Sequence, residues 1–476
     1  MIQYRVWHND IEGKLGLALS HPLFYVLAIC AKYIPVGEFA HRVNMVSAVA
    51  AAVAVANLFL LLRLWLNANW PALIAAVTFA LSHTFWRHAS IAETYSLYVA
   101  LFLVGLIMLL QYFKTSKVGY LYLLGLSNGL ALANHMFASI PFTCYMVLLA
   151  FLLAKKRISL RDLAIITACW VVGAGLYIFL IIKNVVQTGD FWATLASAAF
   201  GDSYRKDVLN TALSVRMVKE NLLVILLNFP TPNILLFLVG CFAIFKLPLD
   251  RNFRNVLLGI TVLFFLFAFR YTVVDRYAFF IPFYCMVSVL IGAGFFLLRM
   301  RTKSKVLACL VLLAGLLPVP VYATAPTLAK KMQVRIGMKR EIPHRDNYKY
   351  FLQPWRTGYR GADRFADEAF DEVDKNAIIC ADNTTVYPLL LAQQVKGKRP
   401  DVKIVSRCYS STIAPVFNEH TAASLVVSPG VYVVSPLAGY CPGFLLDGYD
   451  FVQDDLLWRA VAKSQITVDT QPNSSK

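Results

Sequence analysis

The sequence predicts an α-helical polytopic membrane protein: roughly ten transmembrane helices, an N-terminal interfacial helix ahead of them, and a C-terminal extracytoplasmic α/β domain. Three observations lead there. Apolar segments follow one another from Val43 to Ala323, the basic loops between them fall almost entirely on one side, and the composition turns polar after residue 325. With 58% hydrophobic and 15% charged residues and a mean hydropathy of +0.60, lipid is the expected solvent.

Residues 1–42 are expected to form an external first loop holding an interfacial or re-entrant helix. Leu15–Val36 is apolar, but His21, Pro22, Lys32 and Pro35 interrupt it before it reaches the about 20 apolar residues of a full span. No cleavable signal pattern opens the chain. A bundle over 43–325 follows, with helices near 43–65, 70–85, 92–113, 118–134, 136–154, 162–184, 222–246, 254–270, 276–298 and 304–323.

Alternate loops carry Arg63; Lys114 and Lys117; Lys155, Lys156, Arg157 and Arg161; Lys246, Arg251 and Arg254; and Arg299, Arg301, Lys303 and Lys305, against only Asp162 and Asp250. The opposite loops hold Arg87, Arg270 and Arg276 with Glu93 and Asp275. This bias puts the second set of loops, and the tail, outside. If Val43–Trp65 then runs inward, Met1 starts outside, so either a transmembrane helix is missing ahead of this chain or Leu15–Val36 crosses. Of the net charge of +18, +15 lies before residue 326. That is mostly orientation signal and not a nucleic-acid footprint.

The long loop 185–221, with FWATLASAAFGDSYRKDVLN, is expected to lay a helix on the outer surface and to be functional by its length. In the tail domain (326–476), AIIC at 377–380 reads as a strand, Thr385–Val395 as a helix and Val402–Val405 as a second strand, parallel to the first through a right-handed crossover. SLVV at 424–427 and VYVV at 431–434 are expected to extend the sheet. No glycine-rich phosphate loop is present, and nine cysteines show no metal-binding spacing. Cys380, Cys408 and Cys441 leave room for one disulfide in the tail.

Ionisable groups at membrane depth are costly and mark function by default. Here they gather at the outer helix ends: Asp10, Glu12 and His21; His41 and Arg42; His83, Arg87, His88 and Glu93; Asn134 and His135; Arg270, Asp275 and Arg276. A bundle closing around one external cavity would bring all five clusters together. Each has a plainer alternative. Ser90-Ile91-Ala92-Glu93 has the form of a capping box, Asp275 suits a helix N-terminus, Arg87 and Arg276 can snorkel to headgroups, and His135 can bond a carbonyl in the next turn. The mixture nevertheless suits transfer of a sugar from a lipid phosphate, which needs a carboxylate to take a hydroxyl proton and cations to stabilise the departing phosphate. The run Lys330, Lys331, Arg335, Lys339 and Arg340 is expected to meet anionic headgroups or to be a solvated connector.

Five segments carry a resemblance: HPLFYVLAICAKYIPVGEFAHRVNMVSAV (21–49), HTFWRHASIAETYSLYVALF (83–102), GLSNGLALANH (125–135), FGDSYRKDV (200–208) and FRYTVVDRYAFFIPFYCMVSVLIGAG (269–294). In order, they resemble the domain of unknown function 2723 family, itself similar to the transmembrane protein 260 type of protein O-mannosyltransferase within the GT-C glycosyltransferases. NAIICADNTTVYPLLLAQQVKGKRPDVKIV is similar to that family's external domain.

The resemblance implies a GT-C bundle, a polyprenyl-phosphate-linked sugar as donor, and an acidic residue in the first external loop shortly before the His-Pro step. That residue falls on Asp10, with Glu12 as the competing choice; Pro22-Leu23-Phe24 stands where the family has Pro-Pro-Gly. The resulting expectation is a membrane glycosyltransferase moving a hexose, in this family mannose, to an acceptor hydroxyl on a protein or glycan. Asp10 or Glu12 would be the base, and Arg42, Arg87 and Arg276 would bind the phosphate. His21, Glu93, His135 and Asp275 would shape the sugar site, with the acceptor docking against the tail and the 185–221 loop. The sequence marks no metal site and leaves divalent-metal dependence open. Its alternatives are a non-catalytic glycan transporter or a scaffold with a partner-binding external domain.

Overall fold

The computed structural model describes residues 1–273, 275–337, 340–406 and 417–463, so Lys339 and Cys408 lie outside the described residues. The chain divides into a helical bundle of residues 2–334 and 351–356 and an α/β unit of residues 335–350 and 357–476.

The bundle opens with α1 (Ile2–Trp7) and α2 (Pro22–Lys32). The predicted Leu15–Val36 segment is helical only over the eleven residues from Pro22. His21 in the left-handed region turns the chain, and Pro22 supplies a first-turn φ without needing an amide partner. There follow α3 (Phe39–Leu66), α4 (Asn69–Ala80), α5 (His83–Ala89), α6 (Tyr95–Thr115), α7 (Gly119–Asn134) and α8 (Ser139–Ala154). The stretch expected as one helix over 70–85 is thus two, broken at Leu81-Ser82.

Helices α9 (Leu160–Gly173) and α10 (Gly175–Thr188) meet at 72°, and α13 (Val215–Asn228) and the helical stretch Pro232–Ala243 meet at 112°. The second bend is imposed by Pro230 and Pro232, which cannot donate to the preceding turn. Between them, α11 (Phe191–Phe200) and α12 (Arg205–Val208) fill the 185–221 region, and α14 (Leu235–Ala243) closes the second bent pair. Then come α15 (Arg251–Arg270), α16 (Ile281–Thr302), α17 (Lys305–Leu316) and α18 (Pro318–Lys331), so the last helical stretch continues past Pro326. Among the described residues six helical stretches are long and apolar enough to cross a membrane, or up to eight if each bent pair is one span. At 12 and 16 residues, α4 and α7 are shorter than a full crossing.

Burial ranks the helices. The apolar window of Arg276–Thr302 is 83% buried and that of Lys305–Lys331 only 22%, so α16 is the bundle's axis and α17–α18 lie at its rim. Glycines set two close crossings. Gly129 and Gly173 put α7 and α9 backbone to backbone, and Gly240 and Gly294 do the same for α14 and α16, because a Cβ at any of them would run into the facing main chain.

The α/β unit contains α19 (Asn347–Leu352, whose last two residues belong to the bundle), α20 (Gly361–Glu372), β1 (Ile378–Ala381), α21 (Val386–Lys396), β2 (Lys403–Ser406), α22 (Glu419–Val427), β3 (Val431–Val433), α23 (Gly443–Gly448), β4 (Tyr449–Gln453) and β5 (Trp458–Ala462). The strand order is β2-β1-β3-β5-β4, with β1 parallel to both β2 and β3 and the other pairs antiparallel. Period-2 alternation on β1 feeds two cores. Ile379 and Ala381 pack with α20 and α21, and Ile378 and Cys380 pack with α22 and α23.

The strand expected at 424–427 is instead the last turn of α22. Asn418 and Thr421 form a reciprocal capping box that starts a helix there, which a short apolar run read alone cannot reveal. Cys380 and Cys441 are both buried free thiols. Arg340 is buried against Asp382 and beneath Tyr440 at 4.9 Å, turned to its own unit instead of a headgroup layer.

Candidate functional site

The site grows from the turn after α1. Asp10 Oδ1 accepts the amides of Glu12 at 3.1 Å and Gly13 at 2.8 Å, an Asx-type turn that fixes the carboxylate. Gly13 has φ +76°, and a side chain there would strike the Arg5 guanidinium that fills the space beneath the turn. Arg5 is buried. It stands 3.5 Å from Asp10, donates to Ser20 O at 3.1 Å and lies 3.7 Å from the Tyr25 ring centroid. Glu12 turns away to Lys183 Nζ at 2.6 Å.

From Tyr25 the contacts run into the bundle end. His21 stacks on His135 with centroids 4.8 Å apart, and its Nδ1–H donates to Asn134 O at 2.9 Å. His135 Nδ1 accepts the Phe137 amide at 3.1 Å, which leaves the proton on Nε2. Its Nδ1 partner in the next turn is an amide, not the carbonyl of the plainer expectation. Asn134 donates to Thr94 O at 2.9 Å, tying the end of α7 to the start of α6. Tyr95 packs on His135 at 5.3 Å and on His88 at 5.1 Å. His88 meets Tyr277 at 5.9 Å, and the Arg87 guanidinium lies 5.8 Å from the same ring. His88 Nδ1–H donates to Thr84 O at 2.7 Å, so its other ring nitrogen carries the lone pair.

Burial governs the electrostatics. It pushes the Glu93 carboxyl up to about 7, with the Asp275 charge adding to the rise and Arg87 opposing it. Burial also raises Asp275 above the usual carboxylate range. Desolvation lowers His21 and His88 to about 4, keeping both rings neutral at neutral pH. The capping-box alternative for Glu93 is not what forms: Ser90 Oγ donates to Arg87 O and Pro354 O, and the Glu93 amide donates to Ser47 Oγ at 2.9 Å. Asp275 caps no helix with its side chain.

Members of four of the five sequence clusters thus come together through Arg5, Tyr25, Tyr95 and Tyr277, the last cluster only through Asp275, whose charge acts on Glu93, while Arg270 donates to Val208 O and Asn210 O. Arg42 does not join them; it donates to Ile34 O. Arg276 faces Glu220, which also holds Arg216. Arg5, Tyr25, Lys183 and Glu220 escaped the sequence reading, while Tyr95 and Tyr277 lie in the segments that carry the resemblance without being assigned to the site. Lone aromatic or basic residues flanking apolar runs carry no spacing signal, and partners such as Lys183 and Glu12 lie far apart in sequence. Among the described residues no three His, Cys, Asp or Glu side chains are arranged to hold a metal.

Residues 18–159 match the family described as the protein O-mannosyl-transferase TMEM260 N-terminal domain. No curated protein sequence matches the chain significantly. Among solved structures, the apo form of ArnT from Cupriavidus metallidurans is similar with a TM-score of 0.63 at 11% identity, over 96% of this chain and 91% of that one. The same protein bound to undecaprenyl phosphate gives a TM-score of 0.61 at 13% identity, over 97% and 92%. The chain therefore has a GT-C fold, and the likeness to the TMEM260 type drawn from its motifs holds.

Proposed function

We propose that the protein is an inverting membrane glycosyltransferase that moves a sugar, a hexose and on the family likeness mannose, from a polyprenyl phosphate to an acceptor hydroxyl. The observation that carries this reading is the convergence, at one end of the bundle, of a turn-fixed carboxylate, a buried arginine and the half-buried Glu93 carboxyl. The bound undecaprenyl phosphate of ArnT, a protein of the same fold, supports a lipid phosphate as donor. That end of the bundle, and the α/β unit with it, is assigned to the external side by the loop charges.

In the reaction, Asp10 takes the acceptor hydroxyl proton as the new bond forms to the sugar's anomeric carbon. The bond from that carbon to the phosphate oxygen breaks, and polyprenyl phosphate leaves with the electron pair. Arg5 stands beside Asp10 and keeps its carboxylate aimed. Glu12, already paired with Lys183, serves less well as base. Arg87 meets the leaving phosphate. Glu93 and Asp275 face sugar hydroxyls, and the neutral His21 and His135 stack forms the wall beside them. Arg276 and Arg42, engaged by Glu220 and Ile34, brace the rim. The acceptor is a protein or glycan hydroxyl.

The test is mass spectrometry of surface proteins and glycolipids from cells lacking the gene, complemented with wild type or Asp10→Asn. A hexose-sized mass lost on deletion and restored only by wild type is expected. Full rescue by Asp10→Asn removes the base assignment, and unchanged glycans favour a transporter.

A further inference from the structure

Residues 351–356 (Phe-Leu-Gln-Pro-Trp-Arg) belong to the helical bundle, although the chain on either side of them belongs to the α/β unit. They lie along α5, the short helix that carries Arg87. Trp355 packs on Trp86 with centroids 5.1 Å apart, and Ser90 Oγ donates to Pro354 O at 3.1 Å. The Phe351 ring lies 5.4 Å from the Arg87 guanidinium, which also has Tyr277 at 5.8 Å. Arg356 Nη1 donates to Gln353 O at 3.0 Å, closing the segment into a turn over α5. The charge of Arg356, like that of Arg87, acts on His88. Two guanidinium groups therefore serve one short helix.

We propose that this returning segment completes the leaving-group site: Phe351 is a positioning residue that fixes the plane of the Arg87 guanidinium, and Arg356 supplies a second positive charge for the lipid phosphate. The physical case is charge and order. Two guanidinium groups on one short helix and the segment lying along it can both give charge-assisted hydrogen bonds to a phosphate. An aromatic face removes side-chain freedom that a lone arginine would lose on binding. The inference rests on the lipid-phosphate reading above and adds to it residues far from every sequence cluster, recruited from the polar tail.

The full chain in nanodiscs is titrated with undecaprenyl phosphate and, separately, with undecaprenol, which lacks the phosphate. Wild type is expected to prefer the phosphate. Arg356→Gln weakens undecaprenyl phosphate binding by about tenfold, leaves undecaprenol unchanged and keeps the wild-type unfolding temperature. Arg356→Lys recovers part of the loss, and Phe351→Leu, which keeps apolar volume, loses less than Arg356→Gln. If Arg356→Gln does not fold, the comparison of Phe351→Leu and Arg356→Lys carries the same test. Wild-type affinity for the phosphate in Arg356→Gln, or equal losses for both lipids, overturns the proposal. A wild type with no preference between the two lipids overturns the lipid-phosphate reading itself, and this inference with it.

Discussion

Among the described carboxylates Glu93 is raised furthest, and burial is the larger cause, Asp275 the second. Its carboxyl stands at about 7 against an ordinary 4.5, so the folded protein holds a proton that the unfolded chain has released. The stabilisation from the protonated form is complete below the ordinary value and is lost as pH rises through the folded one. Between about pH 5 and about pH 8, the unfolding temperature of wild type is therefore expected to fall relative to that of Glu93→Gln. Asp275→Asn should make that fall smaller and move it to lower pH. Identical pH profiles for wild type and Glu93→Gln would sink the account. Sequence singled out Glu93 and Asp275 because carboxylates are expensive beside apolar helices. It could not foresee Arg5 beneath Asp10, since an arginine in a first turn looks like any other surface base until the chain folds back over it.

At the level of elements, the α7–α9 crossing is the most demanding contact. Gly129 and Gly173 let the two backbones touch, and in lipid, where apolar burial gives no net drive between helices, such close packing does much of the holding. Gly129→Leu is expected to push α9 away, at a cost of ~3 kcal/mol or more, read as loss of folded monomer in detergent. Near-normal yield would mean that the crossing is not critical. The start of α9 was open to reading as a cap because Ser159 and Asp162 close a local box. Ser90 and Glu93 have the same spacing without forming one, since the Ser90 hydroxyl and the Glu93 amide are taken by other partners. Local pattern proposes a cap, and competition from distant groups decides whether it forms. The helix over 424–427 follows the same logic in reverse, its signal lying upstream at Asn418.

For the molecule as a whole, the one-sided loop charge makes a direct prediction. In a background with the exposed thiols Cys30 and Cys309 changed to Ser, Lys14→Cys should react with an impermeant reagent in intact cells and Lys156→Cys only after permeabilisation. The opposite pattern would invert the orientation and with it the assignment of the site to the external face. The sequence by itself determined that this is a helical membrane protein with a polar α/β tail, and which polar residues are out of place in lipid. Those follow from composition and period, which act locally. Only the tertiary structure decided that Arg276 faces Glu220 and Glu12 faces Lys183, that two apolar stretches bend and one splits, and that residues 351–356 return to the bundle. Partner choice among charges, and the angle at a break, depend on which surfaces meet in space. That is set by packing across the whole chain and not by any stretch of it.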